Sequence, residues 1–241
     1  MCYSAAVDVT AASLRPFPLL RSSSDEALAT LVSHAERQVV PHGQLLWRMG
    51  QRPAWAHFIV RGLVQIVKRL PSGDEVSLGL FGPSEVAGIL AVLGPSESIY
   101  PADAVAVSDD VHVIRVPSAA LKAAIESDPA IARSANAVLV GHAQLLRAKI
   151  DVLTAGDISQ RIATLLVHLA ERFGDVASTG EVIIPVALSR GSLSRLVGAR
   201  DETVIRVMTR WEREGLVETT KTGFVVKSAH QLAALQSPPE R

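Results

Sequence analysis

The sequence is short of cysteine, of aromatic rings and of net charge. Cys2 is the single cysteine in 241 residues. That excludes a disulfide framework, a cysteine zinc site and a four-thiolate iron–sulfur cluster within one chain. Without a basic neighbour its reactivity is unsupported. Aromatic residues are 4% of the chain, so the core has to be aliphatic. Lys+Arg and Asp+Glu balance at 24 each; net charge points to no partner, and a basic footprint must be local. The strongest apolar run, around Gly88 to Gly94, is far too short to span a bilayer, and no basic then apolar leader opens the chain. A soluble cytoplasmic protein without a membrane partner is expected. The chain also lacks a Walker phosphate loop, His-Glu-x-x-His, Gly-x-Ser-x-Gly and a dinucleotide glycine fingerprint. These absences weigh against an enzyme, and no catalytic residue or metal site is assigned.

What is present divides the chain into four parts. A hydrophobic fraction of 48% with 20% charged residues supports one large or two modest cores. Residues 1–23, rich in Ala, Ser and Pro, read as a flexible tail. Ser24-Asp25-Glu26 caps a helix running to about Gln38. Short apolar strands follow from Val39 to Val116, punctuated by Gly43, Gly50, Gly62, Gly73, Gly82, Gly88 and Gly94. This spacing predicts a barrel or roll over 24–127, closed by a short helix from Pro117-Ser118. Asp128-Pro129 is an N-cap followed by an N1 proline, opening a helix over 128–154. Ile131, Ala135, Val138, His142, Leu145, Lys149 and Val152 recur at heptad spacing along it, which predicts a two-helix seam with a second copy. Residues 155–241 hold a helix capped by Gly156-Asp157, a polar loop from Gly174 to Gly180, two short helices, a hairpin turning at Thr222-Gly223, a last helix from Ser228 and a Pro238-Pro239 tail. The fold class is α+β: a double-stranded, jelly-roll-like β-roll, a long dimerisation helix and a C-terminal winged helix-turn-helix.

The stretch from Leu188 to Trp211 carries the chemistry. Two short helices join at Gly198, and Glu202 and Arg206 lie one turn apart on the second. That geometry presents side chains to the DNA major groove. Arg donates two hydrogen bonds to guanine O6 and N7, Glu accepts from cytosine N4, and Thr203 reaches a phosphate or a thymine methyl. A Glu202–Arg206 bridge would pre-orient the guanidinium. Ser189, Arg190, Arg195, Arg200 and Arg210, with Lys221 and Lys227 on the hairpin, are candidates for phosphate contacts. The competing reading of Glu202 and Arg206 is a surface ion pair worth a few tenths of a kcal/mol. Leu193, Leu196, Val197, Val204, Val207, Met208, Trp211, Leu216 and Val225 are the expected core here.

From residue 24 to 235, the order of parts resembles the Crp/Fnr family of bacterial transcription regulators. Glu202-Thr203-Val204-Ile205-Arg206 is similar to the family's recognition-helix signature. Phe81-Gly82-Pro83-Ser84-Glu85-Val86-Ala87-Gly88 is similar to its roll motif, with Ser84 where the family usually has a third glycine. The resemblance implies a homodimer on a pseudo-palindromic operator, acting through RNA polymerase. Asp201 and Ile205 depart from residues common elsewhere in the family, so the flanking bases should differ.

The resemblance also implies an effector pocket, and here the chain departs from it. Members that bind cyclic AMP use a Gly-Glu pair for the ribose and a later Arg for the phosphate. Gly88 is present, but Ile89 replaces the Glu, and the Arg position falls near Ile99-Tyr100. No Lys or Arg occurs between Arg69 and Arg115, while Asp74, Glu85, Glu97, Asp103, Asp109 and Asp110 do. A cyclic phosphate would find no charge-assisted partner, so cyclic AMP is not expected as effector and no cofactor is assigned. Gly88, Ile89, Leu90, Ile99 and Tyr100 either line a pocket for a neutral ligand or simply fill it, and filling is the ordinary role of apolar residues in a roll. The alternatives are a regulator taking another small ligand or haem, and an enzyme or interaction module carrying a regulatory roll. His34, His42, His57, His112, His142 and His168 are scattered without a haem signature. His142 reads as mid-seam, a pH-sensitive spacer or plain packing.

Overall fold

The glycine-punctuated stretch folds into two antiparallel sheets in the computed structural model, which describes residues 9–227 and 229–235. Cys2, Ser228 and the Pro238-Pro239 tail lie outside the described residues. In chain order the first elements are α1 (Ala11–Leu14), α2 (Asp25–His34), β1 (Glu36–Pro41), β2 (Leu45–Trp47), β3 (Trp55–Arg61), β4 (Val64–Arg69), β5 (Glu75–Phe81), β6 (Val86–Ala87), α3 (Ile89–Leu93), β7 (Asp103–Ala106), β8 (Asp110–Pro117) and α4 (Ser118–Ser127). The long helix α5 (Pro129–Thr154) and α6 (Ile158–Phe173) follow, then β9 (Asp175–Val176), β10 (Val182–Ile184), α7 (Arg190–Val197), α8 (Asp201–Arg213), β11 (Val217–Thr219), β12 (Phe224–Val226) and α9 (Ala229–Ala234).

Strand order is β1-β8-β3-β6 in one roll sheet and β2-β7-β4-β5 in the other. The pleat sends alternate residues of β3 and β8 to opposite faces. Ala56, Phe58, Ile114 and Val116 join Leu14, Phe17, Leu28, Leu31 and Leu121 of the helices in one buried cluster. His57, Ile59 and Val113 point the other way, and the Trp47 ring of β2 lies 5.0 Å from the His57 ring.

Two capping predictions hold. The Ser24 side chain accepts from Ala27 N at the start of α2. Asp128 accepts from Ala130 N at 2.8 Å and, through its other oxygen, from Ser24 N at 2.9 Å. These backbone donors, Ser24 first, hold its carboxyl below the usual range. Ser84, at the family's missing glycine, is the one non-glycine with positive φ among the described residues, at 68°; an L side chain there is strained.

The tail expectation needs correcting. Residues 11–23 are not loose: Leu14, Leu19 and Leu20 are fully covered, because α1 and its following turns lay their leucines on the roll's helical face. The domain boundaries shift as well. The chain forms two compact units: one holds residues up to Lys68 and Leu80–Gln144, the other Arg69–Gly79 and everything from Leu145 onward. The division falls within α5, and the tip between β4 and β5 groups with the C-terminal part.

In the second unit a further sheet has the order β11-β12-β10-β9. The polar loop therefore contributes β9, which the sequence pattern did not show. Ile162, Leu166, Leu193, Val197, Val204, Met208, Trp211, Phe224 and Val226 form its interior. Leu216 and Val225, expected in the core, are half-buried. The strand registers place Val217 opposite Val226 and Thr219 opposite Phe224, so the alternate residues carry the packing.

Candidate DNA-reading site and sensor pocket

Gly198 turns one helix into the next. It closes α7 in the left-handed region, φ 65° and ψ 49°, where glycine carries no Cβ penalty. The Ser189 side chain caps α7 by accepting from Ser192 N at 3.1 Å, so this serine, predicted at a phosphate, is first a helix cap. The second helix, α8, buries Val204, Val207, Met208 and Trp211. Glu202, Ile205, Arg206 and Thr209 are left exposed, and Thr203 is half-buried. The expected Glu202–Arg206 bridge does not form: among the described residues neither side chain has an ion-pair partner. Both are open to a ligand.

The basic candidates separate into braces and free cations. Arg190 Nη2 donates to Glu212 Oε1 at 2.9 Å and to Thr219 Oγ1 at 2.9 Å, and Thr219 Oγ1 donates to the same carboxylate oxygen. This network ties α7, α8 and the wing strand β11 together. Arg190 Nη1 is buried without a partner among the described residues. Arg195 Nη1 lies 3.7 Å from Glu75 Oε2, and its Nη2 donates to Ser192 Oγ at 3.3 Å. Arg210 donates to Ser159 Oγ at 3.0 Å but stays exposed. Arg200, at the start of α8, and Lys221, at the wing turn, are exposed, and their side chains make no hydrogen bond or ion pair among the described residues. Lys227 is exposed behind Gly215. Arg190 is thus a brace rather than a free phosphate ligand, and Arg200 and Lys221 are the least encumbered cations.

The residues predicted for the seam are largely engaged within the single chain. Ile131 and Val152 are 0% and 2% exposed within the single chain, and Ala135 is 4% exposed. Val138 packs on the roll's helical core, and Leu145 is half-buried. The His142 ring sits 5.3 Å from Phe81 of its own roll. Lys149 Nζ donates to Leu196 O, near the C-terminal end of α7, where a cation is favoured; burial lowers its pKa to about 8. That stripe serves the chain's own packing. The next stripe, Leu139, Ala143, Leu146, Ile150 and Leu153, has the same 4-3-4-3 spacing, and Leu146 and Ile150 are 53% and 60% exposed. Rotation by one helical position exchanges the two, and sequence spacing alone does not separate them.

The five pocket residues scatter. Ile89 is fully buried in the helix-side core, whereas Leu90 and Ile99 are 49% and 53% exposed. Only Gly88 and Tyr100 meet. Trp47, which spacing did not single out, joins them: the Trp47 and Tyr100 rings stack at 4.3 Å. The Trp47 indole donates to Ala102 O at 3.0 Å and the Tyr100 hydroxyl to Trp55 O at 3.0 Å. A Cβ on Gly88 would meet Tyr100 Cε1 at 3.0 Å and Trp47 Cη2 at 3.2 Å. Burial raises the Tyr100 pKa. His57 is 3% exposed, and burial first, then the Arg115 charge, lowers its pKa to about 3. Its Nδ1 has no partner among the described residues. Arg115 pairs with Glu36 and lies over the Trp55 ring at 4.7 Å. Of the acids in this stretch, Glu85 accepts from Gly82 N at 2.7 Å and Asp103 from Met49 N at 2.6 Å. No group of three His, Cys, Asp or Glu placed to hold a metal occurs among the described residues.

Two family models match the chain: a cyclic nucleotide-binding domain over residues 37–128 and a Crp-like helix-turn-helix domain over residues 160–235. Together they cover well over half of it. A CRP-like cAMP-activated global transcriptional regulator of Mycobacterium tuberculosis is 25% identical over 207 residues, 86% of this chain and 91% of that protein. The transcriptional activator protein anr of Pseudomonas aeruginosa is 27% identical over 225 residues, 92% of this chain and 90% of that one. Among solved structures, FixK2 from Bradyrhizobium japonicum superposes with a TM-score of 0.71 at 20% identity, covering 86% of this chain and 99% of that one. A roll, a long helix and a winged helix-turn-helix, in that order and with these matches, define a DNA-binding regulator rather than an enzyme. The chain belongs to the Crp/Fnr family of transcription regulators. No helix among its described residues is long and apolar enough to cross a membrane.

Proposed function

We propose that this regulator works as a cytoplasmic homodimer on a pseudo-palindromic operator, with Glu202 and Arg206 reading a G·C pair in each half-site and RNA polymerase as the downstream partner. The observation that carries this reading is the unpartnered, exposed pair on α8, since a bidentate guanidinium suits guanine and a carboxylate suits cytosine N4. The stripe Leu139, Ala143, Leu146, Ile150 and Leu153 supports pairing of α5 with its copy, because Leu146, Ile150 and Leu153, left exposed in the single chain, gain by association. Thr203, Arg200 and Lys221 supply positioning contacts, which fix register without reading sequence. The test is selection of bound duplexes from a random pool. A two-fold repeat should emerge, with half-site centres about one helical turn apart. Glu202→Ala and Arg206→Ala should each cost about 1–3 kcal/mol of discrimination at one G·C pair. A double variant with unchanged operator choice would overturn the assignment.

Cyclic AMP is not the effector in this reading. The Trp47–Tyr100 stack over Gly88 takes the place of a polar cradle, and Arg115, the first cation after Tyr100 in sequence, is committed to Glu36 and Trp55. Calorimetry with cyclic AMP should show no micromolar site, and operator affinity should be unchanged by the nucleotide.

A further inference from the structure

We propose that Ile205 reads a thymine methyl, so that each half-site favours an A·T pair beside the G·C pair. The inference rests on the DNA-reading role of α8 and adds to it the chemistry of a second base pair.

Ile205 is 46% exposed, and it is the single large apolar side chain that α8 leaves in water. The inner face of the helix is already complete with Val204, Val207, Met208 and Trp211. Folding gives no reason for an isoleucine here. Its β-branched side chain loses rotamer freedom in a helix, and Ala, Leu, Lys or Glu would form the helix better. Burial gives no reason either, because the side chain stays exposed in the single chain.

Its neighbours give the reason. Glu202 is three residues before Ile205 and Thr209 four after, so all three share one face, with Arg206 adjoining. The stripe therefore presents a carboxylate, a branched alkyl group, a guanidinium and a hydroxyl in sequence. Among base edges in the major groove, the one apolar group is the C5 methyl of thymine. Along the helix axis, Ile205 lies about 4.5 Å beyond Glu202 and about 1.5 Å before Arg206, between the two charged side chains. The alkyl group thus enters the groove beside the charged pair, within reach of a neighbouring base pair. Cytosine at that place would lack the methyl and leave its N4 donor against a hydrocarbon.

The test uses the full-length protein and the operator selected as above. Each thymine is replaced in turn by deoxyuridine, which lacks the 5-methyl group and nothing else. One symmetry-related position, adjacent to the G·C pair, should be sensitive: affinity should fall about fourfold per half-site and roughly fifteenfold when both half-sites are changed, the fold-change of one buried methyl group. Ile205→Ala should bind both forms equally while keeping its preference for the G·C pair, and its melting temperature should match that of the parent. Deoxyuridine tolerated at every thymine, or a penalty that persists in Ile205→Ala, overturns the proposal. Failure of the DNA-reading assignment would look different: the G·C preference itself would then survive loss of Glu202 and Arg206.

Discussion

Replacing Arg190 with alanine tests whether the helix-turn-helix is held as a unit by its own charges. The side chains of Arg190 and Glu212 are 26% and 34% exposed, so their pair lies between a surface bridge and a buried one. Losing a partly screened ion pair with two side-chain hydrogen bonds should cost about 1–2 kcal/mol. The melting temperature should fall by about 2–8 °C. Operator affinity should fall too, because α8 and the wing strand β11 lose their common tie. The dependence of binding on salt separates this from a phosphate contact. Each neutralised phosphate adds about 0.9 to the slope of log affinity against log salt. A brace leaves that slope unchanged, whereas Arg200→Ala should lower it by about 0.9 per subunit at an unchanged melting temperature. Glu212→Gln should repeat the stability loss of Arg190→Ala in weaker form, since an amide oxygen still accepts from Arg190. An Arg190→Ala protein with unaltered melting and a lowered salt slope would refute the brace.

Other perturbations have equally definite outcomes. Ser84→Gly relieves a positive φ of 68° and should stabilise the roll by about 1 kcal/mol, read in urea unfolding. Ile150→Asp, on the exposed stripe of α5, should give a monomer by light scattering and weaken operator binding by roughly a hundredfold through lost bivalency; Val152→Asp should instead unfold the head, because Val152 is 2% exposed. His57 is neutral in the fold, with its pKa lowered to about 3. The unfolded chain takes up that proton below about pH 6.5. The corresponding stability is therefore complete above that pH and drains away as the pH falls toward 3. The wild-type protein should lose about 2 kcal/mol more than His57→Gln between pH 7 and 5, and equal losses in the two proteins would exclude the assignment.

The local devices were legible in the sequence because they depend on residues near each other in the chain. Ser24, Asp128-Pro129 and Asp157 cap the helices predicted for them, and Gly198 makes the turn between the paired helices. The recognition helix reads equally well: an apolar face at helical spacing leaves Glu202 and Arg206 on the other side. The order of roll, long helix and winged head followed from the same signals.

What the tertiary structure alone decided is which of several equivalent patterns meets which partner. Two heptad stripes run along α5 one residue apart, and only folding shows that Ile131, Ala135 and Val152 are buried within the chain while Leu146 and Ile150 stay exposed. Arg190, Arg195 and Arg200 look alike in sequence, yet Glu212, Thr219 and Glu75 claim two of them through contacts 20 or more positions away for Glu212 and Thr219, and further still for Glu75. Trp47 reaches Tyr100 and Gly88 across the roll by the same kind of long-range pairing. Capping, turns and helical periodicity are short-range physics, carried by a few neighbouring residues; the commitment of a side chain to one surface among several is made only when distant segments compete for it.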